Sequence, residues 1–287
     1  MATRRGQFQE FAMLVTRSIR YLVHSNVFIS LAATSVVVST VILADLSFDP
    51  VALFIVFAVT MFVYSFNRIT DIAEDTQNIP GRASFIRRYG KALLAIGTAL
   101  YLVATGVAIA RDIPYAPGML IPMLVAVLYS VVGLKRVLLV KNLLVGLSWG
   151  LIPLGVGVYY DQLGSVDVLF MAAFVTTMIT IAAAIFDIKD IEGDSEAGID
   201  TLPVRYSATR TRQIAAGATV LVSIVVVALV VADVLTRRYS LLLTFTGYVF
   251  CYCLVARRDR GPLFYGFVVD GEHIFLALIL LGYEVLV

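Results

Sequence analysis

Charge is what this chain has least of. Of 287 residues only 15% are Asp, Glu, Lys or Arg, while 60% are hydrophobic. A soluble domain carries roughly 25% charged and about 45–50% apolar residues. The shortage excludes a water-soluble globule and a disordered chain, because apolar mass on this scale needs a bilayer as its solvent. The formal net charge of +2 is too small for a polyanionic partner, so no nucleic acid is expected. Cysteine is scarce as well. Cys251 and Cys253 form a lone C-x-C in an apolar run, which rules out a disulfide scaffold and leaves no second pair for a metal site. A cleavable leader is not expected. The first twenty residues are polar and basic (Arg4, Arg5, Arg17, Arg20) and read as an amphipathic lead-in on the cytoplasmic membrane surface, and the apolar run that follows is long enough to span and lacks an A-x-A-like site. His24, just ahead of the first apolar run, reads as an interfacial side chain.

What is abundant is long apolar runs. A spanning helix needs about 20 apolar residues. Candidate spans cover 27–45, 50–66, 92–110, 116–133, 142–160, 168–186, 213–232, 240–256 and 263–287. Continuous runs, rather than ten-residue alternation, favour helices over a barrel. The fold class expected is therefore all-α: a polytopic membrane protein with nine transmembrane helices. With the N-terminus placed in the cytoplasm, 19 of the 22 Lys and Arg residues fall on that side, and only Arg111, Arg237 and Arg238 fall opposite. The asymmetry obeys the positive-inside rule. It predicts an integral protein of the cell membrane, with the long loops 67–91 and 187–212 facing the cytoplasm.

Two acidic clusters lie where spans two and six end. In the first, Asn67, Asp71 and Asp75 are spaced i, i+4, i+8, which on a helix stacks them on one face. In the second, Asp187, Asp190 and Asp194 are spaced i+3 and i+4. Like charges at this spacing repel, and carboxylates at the edge of the hydrocarbon are costly. Two such clusters on one side of the membrane want a counter-ion. Oxygen donors without His or Cys select a hard cation, Mg²⁺ above all. Basic residues follow each cluster: Arg82 in Asn78-Ile79-Pro80-Gly81-Arg82, then Lys135-Arg136 and Lys141-Asn142 between spans four and five, then Lys189 and Arg205. Paired acidic clusters with a basic rim describe a diphosphate site, with Asn67, Arg82, Lys135, Lys141 and Lys189 toward the phosphates. The 120-residue offset between Asn67 and Asp187 suggests one domain over 1–287, built as a pseudo-repeat of helices 1–4 and 5–8 plus helix 9.

On these motifs the sequence resembles the UbiA superfamily of intramembrane prenyltransferases. The first motif of that family, N-x-x-x-D-x-x-x-D continuing to N-x-P-x-R, is matched by Asn67, Asp71, Asp75, Asn78, Pro80 and Arg82. The second, a D-I-x-D-x-E-G-D string running to T-L-P, is matched by Asp187, Ile188, Asp190, Glu192, Gly193, Asp194, Gly198, Thr201, Leu202 and Pro203. Lys135 to Asn142 and Trp149 look like its central loop and fifth helix. The chain departs from the family pattern at Arg68, where Asp is common, at Arg82-Ala83-Ser84-Phe85, and at Tyr129, six residues before Lys135.

The resemblance implies a helical bundle around a central cavity that takes a prenyl diphosphate. Asp71, Asp75, Asp190 and Asp194 would be catalytic and would hold Mg²⁺ with Asn67 and Asp187. The prenyl group would pass to a hydrophobic acceptor, an aromatic quinone-type precursor before a lipid such as a prenylated glycerol phosphate. A dry cavity would shield the allylic cation from water. The competing expectation is an ion-coupled transporter that uses the same acids as its ion site, which calls for ionisable groups near the midplane. Asp270, Glu272 and His273, inside the ninth span, are the chain's one such cluster, and Gly266 and Gly271 beside them mark a possible break there.

Overall fold

The computed structural model describes residues 4–119, 121–124, 139–261 and 263–286; among these there are helices and turns but no strand. Helix α1 (Arg4–His24) is amphipathic, and α2 (Val27–Leu43) leaves it at a bend of 71°. Asn26, in the left-handed region at φ 65°, makes the turn. Helices α3 (Pro50–Thr70), α4 (Ile72–Asn78) and α5 (Pro80–Ala110) follow. After the central segment come α6 (Val140–Tyr159), α7 (Val166–Phe186), the short α8 (Ile191–Glu196) and α9 (Leu202–Tyr206), and α10 (Ala208–Val231). Then α11 (Leu242–Val255) leads through a π-helical turn, Phe264–Val269, to α12 (Glu272–Leu286).

Among the described residues seven helices are long and apolar enough to cross a membrane. They correspond to expected spans two, three and five to nine. The first expected span is α2, whose 17 residues reach only about 25 Å at 1.5 Å per residue. The fourth, 116–133, lies largely outside the described residues, so the count of nine is not settled by them. Helix α5 has 31 residues and measures about 46 Å, well over the roughly 30 Å of hydrocarbon. Its first turns, bearing Arg82, Arg87, Arg88 and Lys91, therefore stand outside the apolar layer.

Helix starts follow local chemistry. Asp49 accepts from the Val51 N–H at 2.9 Å ahead of Pro50, and Ser165 accepts from Val168 at 3.2 Å. Each satisfies an otherwise unpaired donor. The packing centre is α2, which touches α3, α6, α7 and α12. It is apolar all round, as a helix with neighbours on several sides should be. Its hydroxyls Ser30, Thr34 and Thr40 each bond the carbonyl four residues back at 2.8 Å, so they carry no unpaired donor into the hydrocarbon. The closest helix pair is α6 with α7. A Cβ on Gly146 would lie 2.2 Å from Thr180 Oγ1, and one on Gly150 would lie 2.0 Å from Thr176 Oγ1. This G-x-x-x-G strip lets the two backbones touch. It places the start of α6 beside the end of α7, where the second acidic cluster begins.

Candidate functional site

The first acidic cluster is built on a broken helix rather than a continuous one. Helix α3 stops at Thr70, Asp71 forms the turn, and α4 restarts at Ile72. The i→i−4 backbone bonds nevertheless run on: the N–H of Asp71 reaches Asn67 O, that of Asp75 reaches Asp71 O, and that of Ile79 reaches Asp75 O, each at 2.9 Å. The break therefore keeps the expected register of Asn67, Asp71 and Asp75. Asp75 is buried, and Arg82, one helix further on, clasps it with both arms: Nε donates to Oδ2 at 2.8 Å and an Nη donates to Oδ1. The side chain of Asn78 lies outside the described ones.

The second cluster is likewise a turn followed by a short helix. Ile188, Lys189 and Asp190 bond three residues back at 3.1–3.2 Å, and α8 then carries Asp194. Asp187 is 2% exposed and Asp194 is 1% exposed. Both face the first turn of α6. Lys141 Nζ lies 2.8 Å from Asp187 and 3.8 Å from Asp194, and Asn142 Nδ2 donates to Asp187 at 2.9 Å. Asp190 instead pairs with its neighbour Lys189. Burial pushes the Lys189 ammonium below the ordinary lysine range, and the adjacent Asp190 carboxylate works against that shift. Lys135, Tyr129, Ser130 and Arg136 lie outside the described residues.

The two clusters meet, since α4 and α8 are in contact. Between them a void of about 30 Å³ is lined by Arg68, Arg82, Lys189, Asp270 and His24 among others. A larger cavity of about 520 Å³ opens beside it. Asn67, Arg68 and Asp71 line its polar end, and Val56, Val63, Ile152 and Leu154 are among its apolar walls, with Trp149, Tyr64, Tyr115 and Tyr159 as aromatic ones. Arg68 lines both spaces. Among the described residues it makes no ion pair, its Nε has no hydrogen-bond partner, and its guanidinium stands 6.0 Å from the Tyr64 ring. Sequence reasoning treated it only as a departure from a motif. The signal was there: a cation in an acidic cluster needs an anion to face.

The cluster in the ninth span divides. Asp270 ends the π-helical turn and lines the small void. Glu272 accepts from the Tyr252 hydroxyl at 2.6 Å. His273 lies between the rings of Trp149 (5.8 Å) and Phe245 (5.3 Å), and both of its nitrogens lack hydrogen bonds. It stands behind the cavity wall rather than in it: Trp149, whose indole N–H donates to the Tyr64 hydroxyl at 3.2 Å, separates it from the open space.

As for a metal, no group of three or more Asp, Glu, His or Cys among the described residues stands close enough to hold one. The donor set still fits a hard cation: it offers oxygen only, five of its six side chains are carboxylates, and Asp75, Asp187 and Asp194 are buried. Each carboxylate with a described partner has a cation on it, and the Lys141 ammonium bridges Asp187 and Asp194 much as a divalent ion would.

A model of the UbiA prenyltransferase family matches residues 27–278. No curated protein sequence matches. Among solved structures, the apo form of a UbiA homologue from Aeropyrum pernix K1 superposes with a TM-score of 0.65 at 18% identity, over 90% of this chain and 98% of that one. A UbiA homologue from Archaeoglobus fulgidus bound to GPP and Mg²⁺ gives 0.58 at 13% identity, over 91% and 98%. A structure of digeranylgeranylglyceryl phosphate synthase gives 0.56 at 18% identity, over 93% and 97%. At these identities the likeness is one of fold.

Proposed function

Because the chain belongs to the UbiA prenyltransferase family, we propose that it transfers a prenyl group from a polyprenyl diphosphate to a hydrophobic acceptor, with Mg²⁺ as cofactor. The observation that carries this reading is the junction of two unlike spaces: paired acidic clusters edged by Arg68, Arg82, Lys141 and Lys189 abut an apolar cavity of about 520 Å³. A diphosphate with an apolar tail has both chemistries in that order. Asn67, Asp71 and Asp75 with Asp187, Asp190 and Asp194 would hold Mg²⁺, which when bound supplies positive charge against the leaving diphosphate.

The protein's own part is partner exchange. Arg82, Lys141 and Lys189 sit on carboxylates. With those oxygens holding Mg²⁺, Arg82, Lys141 and Lys189 would turn to the phosphate oxygens and join Arg68 there. This keeps the buried charges compensated at each stage. The apolar walls exclude water from the allylic cation, and the faces of Trp149 and Tyr64 would offer it ring electrons.

An aromatic acceptor suits the walls better than a phosphate-bearing lipid. Among the described lining residues Arg68 is the cavity's one cation, and the diphosphate end already occupies it. The motif side is read as facing the cytoplasm, from the charge asymmetry of the sequence. Purified protein incubated with labelled geranylgeranyl diphosphate and a panel of aromatic and glycerol-phosphate acceptors, with Mg²⁺ or EDTA, tests the reading. Mg²⁺-dependent transfer that Asp71→Ala and Asp190→Ala each abolish is expected. Transfer that survives either substitution refutes it.

A further inference from the structure

A second basic site lies in the cleft between α1 and the first turns of α5, backing onto the small void between the acidic clusters through His24, which lines both. The cleft holds about 650 Å³ and is lined by Arg17, Arg20 and Arg88 with Met13, Tyr21 and Phe85 as its apolar wall. Among the described residues none of the three arginines has a carboxylate partner. Arg17 donates to the Tyr21 hydroxyl at 3.4 Å and stands 5.6 Å from that ring, and Arg88 stands 5.2 Å from the ring of Tyr89. The aromatic wall is continuous, with Tyr21 against Phe85 at 5.9 Å and Phe85 against Tyr89 at 4.9 Å. His24 closes the inner end. It is buried, in edge contact with Phe85 at 5.7 Å, rather than the interfacial side chain expected from its position in the sequence.

Three arginines that line one cleft with no acid among its described lining residues repel one another, and an anion between them removes that cost. Topology alone asks only for basic residues on this side of the membrane. It does not ask for their convergence on a cleft, or for an apolar wall beside them. The depth is set by the two helices: α1 exposes Phe11, Met13, Leu14 and Leu22, as a helix lying in the interface does, and α5 enters the hydrocarbon only after its basic turns. A free phosphate or diphosphate would use the charge and leave the apolar wall idle. A phospholipid uses both. We propose that this cleft binds the phosphodiester headgroup of an anionic phospholipid, with an acyl chain laid along Met13 and Phe85. Basic pockets between helices near a membrane surface select such headgroups.

Native mass spectrometry of the delipidated full chain, titrated with phosphatidylglycerol and with phosphatidylcholine, tests this independently of any transferase assay. The wild type should bind phosphatidylglycerol about tenfold more tightly, a 1.4 kcal/mol preference. Arg17→Gln/Arg20→Gln/Arg88→Gln should lose that preference, whereas Arg210→Gln/Arg257→Gln/Arg260→Gln, which removes as much charge elsewhere on the same side, should keep it. Equal loss in both triple variants, or no preference in the wild type, overturns the proposal. So does inorganic diphosphate that binds saturably in the cleft and displaces the lipid, which would make a free anion the occupant. Should the first triple variant fail to fold, single Arg17→Gln and Arg88→Gln variants give the same readout, each with a partial loss.

Discussion

Replacing Lys141 with Met asks whether the second acidic cluster depends on a cation held there by the fold. The ammonium stands 2.8 Å from Asp187 and 3.8 Å from Asp194, and both carboxylates are almost wholly buried. At 2.8 Å and an effective dielectric of about 20, the gross attraction to Asp187 is about 6 kcal/mol. Desolvation of both ions offsets part of it, and removing one partner of a buried pair costs about 3–5 kcal/mol because the other charge is left uncompensated. Asn142 still donates to Asp187 at 2.9 Å. A hydrogen bond to a charged group is worth about 1.5–3 kcal/mol, which places Lys141→Met at the lower end, about 3 kcal/mol. For a chain of this size that is a fall of roughly 6 °C in Tm.

The chain supplies its own probe, since Cys253 is buried and Cys251 is exposed. On a Cys251→Ser background, the reaction of Cys253 with a thiol-reactive fluorophore on heating in detergent reports unfolding. In EDTA, Lys141→Met should melt early. Lys141→Met/Asp187→Asn should recover most of the loss, because the Asn142 amide can still donate to the new Asn oxygen. Millimolar Mg²⁺ should stabilise Lys141→Met more than the double variant, since a divalent ion then takes the vacated place beside Asp187. A single variant as stable as the background, or a double variant worse than the single, refutes the charge argument. A single variant indifferent to Mg²⁺ refutes the metal assignment of Asp187.

Three further substitutions read other parts of the structure. Gly150→Val should cost several kcal/mol by forcing α6 off Thr176 of α7, while Gly155→Ala, with nothing within 4 Å of the added carbon, should stay within about 0.5 kcal/mol; melting in detergent compares them. Arg68→Gln should raise the KM for prenyl diphosphate tenfold or more while Tm holds or rises, since it removes a charge-assisted contact to phosphate and also a cation without an ion pair; an unchanged KM refutes the role. At the opposite end, the Tyr159 hydroxyl (2.6 Å), the Val51 N–H and Arg111 hold the Asp49 carboxyl below the usual carboxylate range. Its contribution is therefore present above the unfolded value of about 3.9 and lost as pH falls through the depressed folded value. The Tm gap between wild type and Asp49→Asn should be open at pH 6 and close toward pH 2–3.

Spans and motif positions were legible in the sequence because both are local. A run of apolar residues needs the bilayer wherever the rest of the chain goes, and Asn67, Asp71 and Asp75 keep their register even though α3 ends at Thr70. Partners were not legible, because they come from packing. Nothing in the spacing says that Lys141 lies on Asp187, 46 residues away, while Lys189 turns to the residue beside it; the Gly146 and Gly150 strip sets the first of these by bringing α6 against α7.

The ninth span shows the same limit from the other side. Composition makes Asp270, Glu272 and His273 one suspect cluster, whereas the structure places Asp270 at the end of the π-helical turn, lining the small void, and buries Glu272 and His273 together, Oε1 of one 3.6 Å from Nε2 of the other. His273 is the clearest case. Its nitrogens make no hydrogen bond, Nε2 standing 3.6 Å from Glu272 Oε1, its ring stacks between Trp149 and Phe245, and Trp149 in turn donates to Tyr64 on the cavity wall. If the imidazole served as an acid or base, His273→Phe would abolish turnover. If it serves as a flat filler that holds Trp149 in place, His273→Phe should leave kcat within about twofold and raise Tm, because a buried polar group without a partner costs about 1–3 kcal/mol. His273→Ala should then lower both Tm and kcat by letting the indole tilt away from Tyr64. Loss of kcat in His273→Phe at unchanged KM and undiminished Tm would return the histidine to the chemistry.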